Sequence, residues 1–317
     1  MQWTDRIGRR LKLRDLHILL AVAQAGSMSR AADRLAISHP VVSKTIADLE
    51  HALGVRLLDR TSQGVEPTSY GRALLGCGTA VFDELRRGVQ EIAFLSDPTV
   101  GELRIGSASP QVDALVPAVV ARLASRYPKI KFHVTESDAA SLCGMLRERK
   151  LDIVVGRVLS SVFGDDLTLD FLFHESMHVV AGLTSPWSRR RKISLADLCD
   201  QRWIMPESDN IAMALISDAF RSAGLAPPVP QIVSNSLTMR VRMVETGQFL
   251  AILPESSLWF GAKRMQIRIL PVRLQVKTPP TGAISLKNRT PNPIAGLFTD
   301  ELRAFATPVV KRGFARA

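Results

Sequence analysis

Apolar residues in the first part of the chain recur every three or four positions, which is the spacing of one helical face. Leu13, Leu16, Leu20 and Ala23 form such a face, and Gly26 follows them at a position where glycine commonly ends a helix. The pattern therefore predicts an amphipathic helix that ends near residue 26.

Two more short helices are predicted after this glycine. Ser27 or Ser29 can cap the first, and Ser38 followed two residues later by Pro40 is a typical start of the second. Gly54 ends the second helix. Its apolar positions share one inward face: Val42, Ile46, Leu49 and Leu53.

The helix that Ser38 opens has an outward face of short polar and cationic side chains at its leading end, with His39, Ser43 and Lys44. Two short helices with a tight connection over residues 36–38 are typical of a helix-turn-helix, whose second helix enters the major groove. Hydroxyl and cationic donors at that end can contact purine acceptors. A helical hairpin with a solvated face gives the same pattern, so both interpretations stay open at this point.

A short two-stranded wing is predicted next. Residues 55–60 alternate between apolar and polar side chains, and residues 61–64 have the composition of a turn before a second strand. Such a wing can lay Arg60 and Gln63 on phosphates beside the groove, which positions the preceding helix without reading sequence.

The residues of this segment resemble those of a known family. The matching positions are Ala31-Ala32, Leu35, Ser38, Pro40, Val42-Ser43-Lys44, Ile46, Leu49-Glu50, Leu53-Gly54, Leu57, Arg60, Thr68 and Gly71. They resemble the winged helix-turn-helix of LysR-type transcriptional regulators. Leu58 stands where a Phe is common and Pro67 where an aliphatic residue is usual, so the wing departs from the family pattern in detail.

The resemblance implies a DNA-binding transcriptional regulator, not an enzyme, that works together with RNA polymerase. It places four residues at the groove and two on the phosphate backbone: His39, Pro40, Ser43 and Lys44, then Arg60 and Gln63. Ser29 and Ser38, near the starts of the two helices, complete the predicted set of contacts with double-stranded DNA.

A long helix is predicted from Tyr70 to the Asp97-Pro98 pair. Its apolar residues form one stripe at steps of three or four: Leu74, Cys77, Val81, Leu85, Val89, Ile92 and Leu95. A single stripe with little nearby sequence to cover it favours pairing with a second copy, and docking on the chain's own body is the alternative. In the resembling family this segment is the dimerisation helix, which implies a near-palindromic operator and a homodimer that assembles further into a homotetramer.

Beyond Gly101, predicted strands alternate with predicted helices, which is typical of a parallel sheet covered by helices. Two such runs follow each other, and the resemblance implies a two-lobed effector domain similar to periplasmic binding proteins. The predicted fold class is therefore α/β, with an N-terminal winged helix-turn-helix, a long linker helix and this effector-binding domain. The predicted boundaries are 1–68, 69–97 and 98–317, with lobe 1 at about 102–179 plus 283–317 and lobe 2 at about 180–282.

Polar residues at strand ends and before helices form the predicted effector-binding set, in a cleft between the lobes. They are Ser107, Ser109, Arg157, Glu207, Ser208, Asn210, Asn235, Ser236 and Thr238. Arg157 follows a predicted strand, where its guanidinium can hold a carboxylate with two hydrogen bonds. A surface salt bridge for Arg157 and ordinary helix caps for the others are the alternatives. An anion is the preferred class of small-molecule effector because of Arg157 and the helix N-termini, and sugars and aromatic compounds stay open as alternatives.

Charge and cysteine content narrow the setting of the protein. The 317 residues carry a formal charge of +11, with 13 basic against 11 acidic residues in 1–97, so charge hints at a polyanionic partner without locating the contact. The cysteines, Cys77, Cys143 and Cys199, form no CxxC pair and are typical of a reducing compartment. No uncharged apolar run is long enough to span a bilayer, and the expected location is the cytoplasm.

One stretch suggests different chemistry. His174-Glu175-Ser176-Met177-His178 matches the HExxH pattern that binds zinc when it lies on a helix. The preceding residues alternate as in a strand, which would hold the two imidazoles about 13 Å apart, too far for one ion. We therefore expect no metal, no cofactor and no catalytic residue. A zinc peptidase is one alternative, and a solute-binding receptor, which the C-terminal two-thirds alone would permit, is another.

Overall fold

The computed structural model describes residues 11–61, 64–157, 163–208, 210–259 and 265–312, with side chains described throughout except at 60, 61, 259 and 308–312. The chain forms two compact units, Met1–Gln90 and Glu91–Ala317. No helix in the described ranges has the length and apolarity needed to cross a membrane.

The first unit contains three short helices, a two-stranded hairpin and most of a long helix. In chain order the elements are α1 (Leu13–Ala25), α2 (Met28–Leu35), α3 (His39–Leu53), β1 (Leu58–Thr61), β2 (Gly64–Pro67) and α4 (Ser69–Ser96). The predicted helices and hairpin are confirmed, but the first strand begins at Leu58 and not at Val55. The ladder with β2 starts at Leu58 opposite Pro67, and the backbone N–H of Leu57 donates to the side chain of Glu50.

Local hydrogen bonds and backbone angles explain where these helices start and end. Ser27 caps α2, since its hydroxyl accepts from the N–H of Arg30 at 3.4 Å, whereas Ser29 lies inside the helix. Ala36 closes α2 in the left-handed conformation, with φ of 53°, so that α3 can begin three residues later. Gly54 ends α3 with φ of 72°, which glycine adopts without steric cost.

The inward faces of the three helices share one core with the start of α4. Its buried residues include Ile18, Leu19, Val22, Ala31, Ala32, Val42, Ile46, Leu49 and Leu57. Leu74 of α4 packs against this core, so the predicted apolar stripe on α4 is divided between two environments. Its C-terminal part is exposed by between 49% and 76%, at Leu85, Val89, Ile92 and Leu95.

A hydroxyl and a glycine fix the junction between the wing and α4. The hydroxyl of Thr68 accepts from the N–H of Gly71 at 3.0 Å and donates to the carbonyl of Arg56 at 2.8 Å. The backbone N–H of Thr68 also donates to the carbonyl of Leu57 at 2.9 Å. Gly71 lies so close to that carbonyl oxygen that a Cβ would overlap it, which explains why this position has no side chain.

The second unit contains two sheets with helices around them. In chain order its elements are β3 (Val100–Ser107), α5 (Leu115–Arg126), β4 (Lys129–Glu136), α6 (Ala139–Arg147), β5 (Ile153–Arg157), β6 (Leu167–His174), β7 (Met177–Gly182), β8 (Ile204–Met205), α7 (Ile211–Ser222), β9 (Ile232–Val233), α8 (Leu237–Glu245), β10 (Leu250–Pro254), α9 (Ser256–Trp259), β11 (Ile267–Ile269), β12 (Pro280–Leu286) and α10 (Pro293–Arg312).

The first sheet has the strand order β4-β3-β5-β12-β6. β3 runs parallel to β4 and β5, whereas β12 is antiparallel to β5 and to β6, so the predicted parallel sheet is in fact mixed. Successive residues of a strand point to opposite faces. Val155 belongs to the core that α5 and α10 cover, and Val154 belongs to the core under α6.

The second sheet has the order β10-β7-β11, and the parallel pair β8-β9 joins it through one bridge between Trp203 and Leu250. The chain passes from the first sheet to the second between His174 and Met177, and it returns before Pro280. These crossings lie a few residues before the expected lobe boundaries at 179 and 283.

Candidate functional sites

The leading end of α3 presents a polar surface. The buried positions of this helix are Val42, Ile46 and Leu49. The other side of its first turns holds predicted DNA contacts, all exposed except the half-buried Ser43: Ser38, His39, Pro40, Ser43 and Lys44. Because the apolar stripe fixes the rotation of α3, five predicted contacts share one accessible helix end.

The remaining predicted DNA contacts lie on α2 and on the wing. Ser29 is exposed in the first turn of α2. Arg60 lies in β1 opposite Val65 of β2, and its side chain is outside the described part of the chain. Gln63 lies outside the described residues.

Glu50 anchors the wing to α3. Its carboxylate accepts hydrogen bonds from the backbone N–H of Leu57 at 2.7 Å and of Leu58 at 3.2 Å. One side chain of the helix therefore holds the backbone at the start of β1.

Four predicted effector residues meet at the carboxyl ends of β8 and β9. The amide oxygen of Asn235 accepts from the backbone N–H of Glu207 at 3.1 Å and from the amide of Asn210 at 2.9 Å. Asn210 caps α7 by accepting from the N–H two residues on at 2.8 Å, and Ser236 caps α8 by accepting from the N–H three residues on at 3.2 Å. Two helix N-termini, each with a partial positive charge, therefore begin side by side.

The other polar candidates have different surroundings. Ser107 is buried, and its hydroxyl donates to the carbonyl of Val155 at 2.9 Å, which ties β3 to β5. Ser109 donates to the carboxylate of Asp113 at 2.8 Å. Both hydroxyls are thus bonded inside the first lobe. Two further candidates, Ser208 and Thr238, are exposed where α7 and α8 begin.

Arg157 has an internal partner. Its guanidinium donates from Nε at 3.0 Å and from Nη2 at 2.5 Å to one carboxylate oxygen of Glu175, whose side chain is completely buried. The other oxygen of Glu175 accepts from the backbone N–H of Ser256 at 3.0 Å and from the hydroxyl of Ser256. The amide of Gln111 reaches the first oxygen at 3.5 Å. The sequence predicts that Arg157 holds a carboxylate of the effector. In the structure, Glu175 of the same chain supplies that carboxylate.

A second buried guanidinium, Arg240, is absent from the predicted set. It lies on the inward face of α8 with Leu237, Val241 and Val244, and only 6% of it is exposed. Its Nε and Nη1 have no hydrogen-bond acceptor among the described residues. Burial, and to a smaller extent the charge of Arg157, lower the pKa of Arg240 to about 10, so it stays a cation at neutral pH. The sequence signal was a cation at a position where the helical period requires an apolar residue.

The two histidines of the HExxH stretch lie on successive strands and not on one helix. His174 ends β6 and His178 lies in β7, so the strand prediction is confirmed. Nδ1 of His174 is 3.4 Å from the carbonyl of Thr278, and Nε2 of His178 is 4.0 Å from the carboxylate of Glu255. Within the ranges that the structure describes, no three His, Cys, Asp or Glu side chains converge as they would on a metal ion.

Two family models match successive parts of the chain. One, described as "Bacterial regulatory helix-turn-helix protein, lysR family", matches residues 13–72, and the other, described as "LysR substrate binding domain", matches residues 96–307. The chain belongs to the LysR family. It is a DNA-binding transcriptional regulator with an effector-binding domain, as the resemblance predicted, and the solute-receptor interpretation is wrong.

Relatives and solved structures of the LysR family cover most of the chain. The HTH-type transcriptional regulator GbpR of Azospirillum brasilense is 28% identical over 305 residues, which are 96% of this chain and 89% of that protein. The DNA-binding transcriptional dual regulator OxyR of Escherichia coli is 29% identical over 286 residues, which are 90% and 91% of the two chains.

Two solved structures show the same fold. A full-length OxyR variant from Pseudomonas aeruginosa has a TM-score of 0.67 at 23% identity, and the match covers 92% of this chain and 95% of that one. Full-length CbnR in complex with its target DNA has a TM-score of 0.54 at 22% identity, covering 93% and 100%. Both likenesses extend over the N-terminal and C-terminal parts of this LysR-family chain.

Proposed function

We propose that this LysR-family regulator contacts its operator through the exposed leading end of α3 and the adjacent wing. The main support is the rotation of α3, which buries Val42, Ile46 and Leu49 and leaves the polar leading end exposed. The proposed groove contacts are His39, Pro40, Ser43 and Lys44, with Ser29 and Ser38 near the helix starts and Arg60 and Gln63 on phosphates.

The proposed division of labour follows the chain. Residues 1–68 bind DNA, residues 69–97 form the linker helix, and residues 98–317 bind the effector in two lobes. The exposed stripe on α4 supports a homodimer on a near-palindromic operator, and two dimers form a tetramer that contacts RNA polymerase. The protein acts in the cytoplasm and catalyses no reaction.

The effector site lies between the two lobes. The hydrogen bonds that join Glu207, Asn210 and Asn235, and the adjacent cap Ser236, support a ligand-facing role for this group, with Ser208 and Thr238 beside it. Three candidates with internal partners shape the first-lobe side without binding the ligand directly: Ser107, Ser109 and Arg157. The ligand must prefer one arrangement of the lobes, because equal affinity for both would shift no population.

The test of the DNA assignment is the Lys44→Ala variant. Its affinity for the operator should fall about tenfold, because a contact with a base edge is worth roughly 1–3 kcal/mol. The measurement is the fluorescence anisotropy of a labelled duplex, selected from random sequences by the full-length protein, over a range of salt concentrations. Discrimination against unrelated duplexes should fall together with the affinity.

The matched control is Lys131→Ala, which removes the same charge from an exposed position on β4. This variant should bind like the parent protein. If Lys44→Ala keeps the parent's affinity and the parent's dependence on salt, the recognition-helix assignment is wrong.

A further inference from the structure

Two guanidinium groups and one carboxylate are buried at the boundary between the two lobes. Arg157 ends β5 of the first sheet, Glu175 lies at the crossing to the second sheet, and Arg240 is on α8 of the second lobe. The charge of Arg157 contributes to the lowered pKa of Arg240, so the two guanidinium groups are close enough for their charges to interact.

The carboxylate of Glu175 has no acceptor capacity left for Arg240. A carboxylate can accept about four hydrogen bonds. Arg157 and Ser256 each donate two to Glu175, and Gln111 approaches it as well. Glu175 is therefore fully used by other donors, in agreement with the unpartnered Nε and Nη1 of Arg240 among the described residues.

The charge balance of this group points to a missing anion. Two cations and one anion leave a net charge of +1, and Arg240, with only 6% exposure, has little contact with water. A buried cation without acceptors destabilises a protein, because neither water nor a counter-charge compensates its lost hydration. An anion held at Arg240 would remove that cost.

We propose that Arg240 binds the charged group of the effector, and that the effector is a small organic carboxylate. A monoanion brings the buried charge to zero, whereas a phosphate dianion would leave an excess of negative charge. The N-terminus of α8, capped by Ser236, is one turn away and adds a partial positive charge. The inference rests on the proposed effector function and assigns the carboxylate to Arg240 in place of Arg157.

The same charges link binding to the arrangement of the lobes. Without a ligand, the like charges of Arg157 and Arg240 repel across the boundary and favour separated lobes. A carboxylate between them reverses this balance and favours approach of the lobes. The ligand therefore has the difference in affinity for two arrangements that a regulatory switch requires.

The test compares the thermal unfolding midpoint of the full-length protein in sodium acetate, lactate or benzoate with that in sodium chloride. Each salt is used at about 100 mM, so that charge screening is equal. We expect at least one carboxylate to raise the midpoint by about 2 °C or more above its value in chloride. An equal rise in sulfate or phosphate at the same ionic strength would overturn the carboxylate assignment.

The Arg240→Leu variant should lose this response, with an affinity for the carboxylate at least about tenfold lower than that of the parent. Its midpoint in chloride should not fall, because an apolar residue suits the inward face of α8. The matched control is Arg242→Leu, which removes the same charge from a side chain of the same helix that is 75% exposed and should keep the full response. Arg240→Gln provides a second test should Arg240→Leu fail to fold, and the same loss is expected.

Three results would overturn the proposal. They are no rise with any carboxylate in the parent, a rise that persists in the Arg240 variants, and a midpoint in chloride that falls in both variants. The last result would mean that the guanidinium has structural partners. Operator binding by the parent protein is measured in parallel, and its absence would count against the proposed DNA contacts without bearing on Arg240.

Discussion

At the scale of single residues, Glu50 connects the proposed recognition helix to the wing. It belongs to α3, yet both of its side-chain hydrogen bonds go to backbone N–H groups at the start of the wing. A half-buried carboxylate that accepts two backbone hydrogen bonds cannot be removed without leaving those donors unpaired. The attachment of the wing to the helix therefore involves a side chain that is not itself a predicted DNA contact.

Replacing Glu50 by Ala should destabilise the wing by roughly 1–3 kcal/mol, the usual cost of unpaired buried donors. The measurement is hydrogen exchange of the amides of Leu57 and Leu58, which should become faster. Asp48→Ala, at an exposed position two residues earlier on the same helix, should leave both amides protected. Unchanged protection in Glu50→Ala would contradict the anchoring role.

The residues that the sequence predicts well are those whose environment is set by local period. His39 and Lys44 are exposed because Val42 and Ile46 must face inward, and this follows from the spacing alone. The partner of Arg157 lies 18 residues away, across a strand and a crossing, and no local pattern encodes that distance. Long-range pairing therefore decides which of the predicted effector residues already have a partner in the chain.

At the scale of elements, the two ends of α4 have different surroundings, since one end is packed and the other is exposed. Its first turn lies against the wing, where Gly71 contacts the carbonyl of Leu57, and its C-terminal half exposes an apolar stripe. At Gly76, about one turn and a half after Gly71, a Cβ would have no described atom within 4 Å apart from its chain neighbours and the backbone of its own helix. Two glycines of one helix therefore differ in kind, since one is required by packing and the other is not.

This difference predicts opposite effects of the same substitution. Gly71→Ala should lower stability by about 1–3 kcal/mol, because the methyl group overlaps backbone that cannot move without displacing the wing. Gly76→Ala should raise stability by up to about 1 kcal/mol, because alanine favours the helix and meets no neighbour. Thermal unfolding followed by circular dichroism measures both. A Gly71→Ala protein as stable as the parent would contradict the close contact.

Element boundaries show which signals in a sequence are local. The start of α2 was predictable because Ser27 caps the backbone three residues on, and that of α3 because Pro40 lies in its first turn, although the hydroxyl of Ser38 makes no capping hydrogen bond. The start of β1 and the antiparallel direction of β12 were not, because both depend on partners far along the chain. The burial of the α4 stripe also depends on distant partners, because its first residue, Leu74, packs against a core built from α1 to α3.

At the scale of the whole molecule, the exposed part of α4 offers an apolar surface for assembly. Leu85, Val89, Ile92 and Leu95 follow each other at steps of four, three and three, and all are largely exposed in one chain. A stripe with this spacing buries itself most fully against an identical stripe, as in a coiled coil. We propose that the dimer which binds the two operator half-sites forms here.

The double variant Val89→Asp with Ile92→Asp should be monomeric, because two carboxylates at the centre of an apolar seam would be buried without partners. Light scattering after size-exclusion chromatography gives the mass, and operator affinity should fall together with it. Glu91→Lys, which changes an exposed residue between the two without touching the stripe, should remain a dimer. A double variant that stays dimeric would place the interface elsewhere.

The position of β12 has a consequence for the order in which the molecule is made. This strand inserts between β5 and β6, although the entire second lobe separates it from them in the chain. The ribosome synthesises β12 after nearly all of the rest of the chain, so the edges of β5 and β6 that it joins stay unpaired until then. Unpaired strand edges are prone to aggregate. The lobe that is translated first is thus completed last. We therefore expect a chain truncated before residue 280 to aggregate, and not merely to lose its response to the effector.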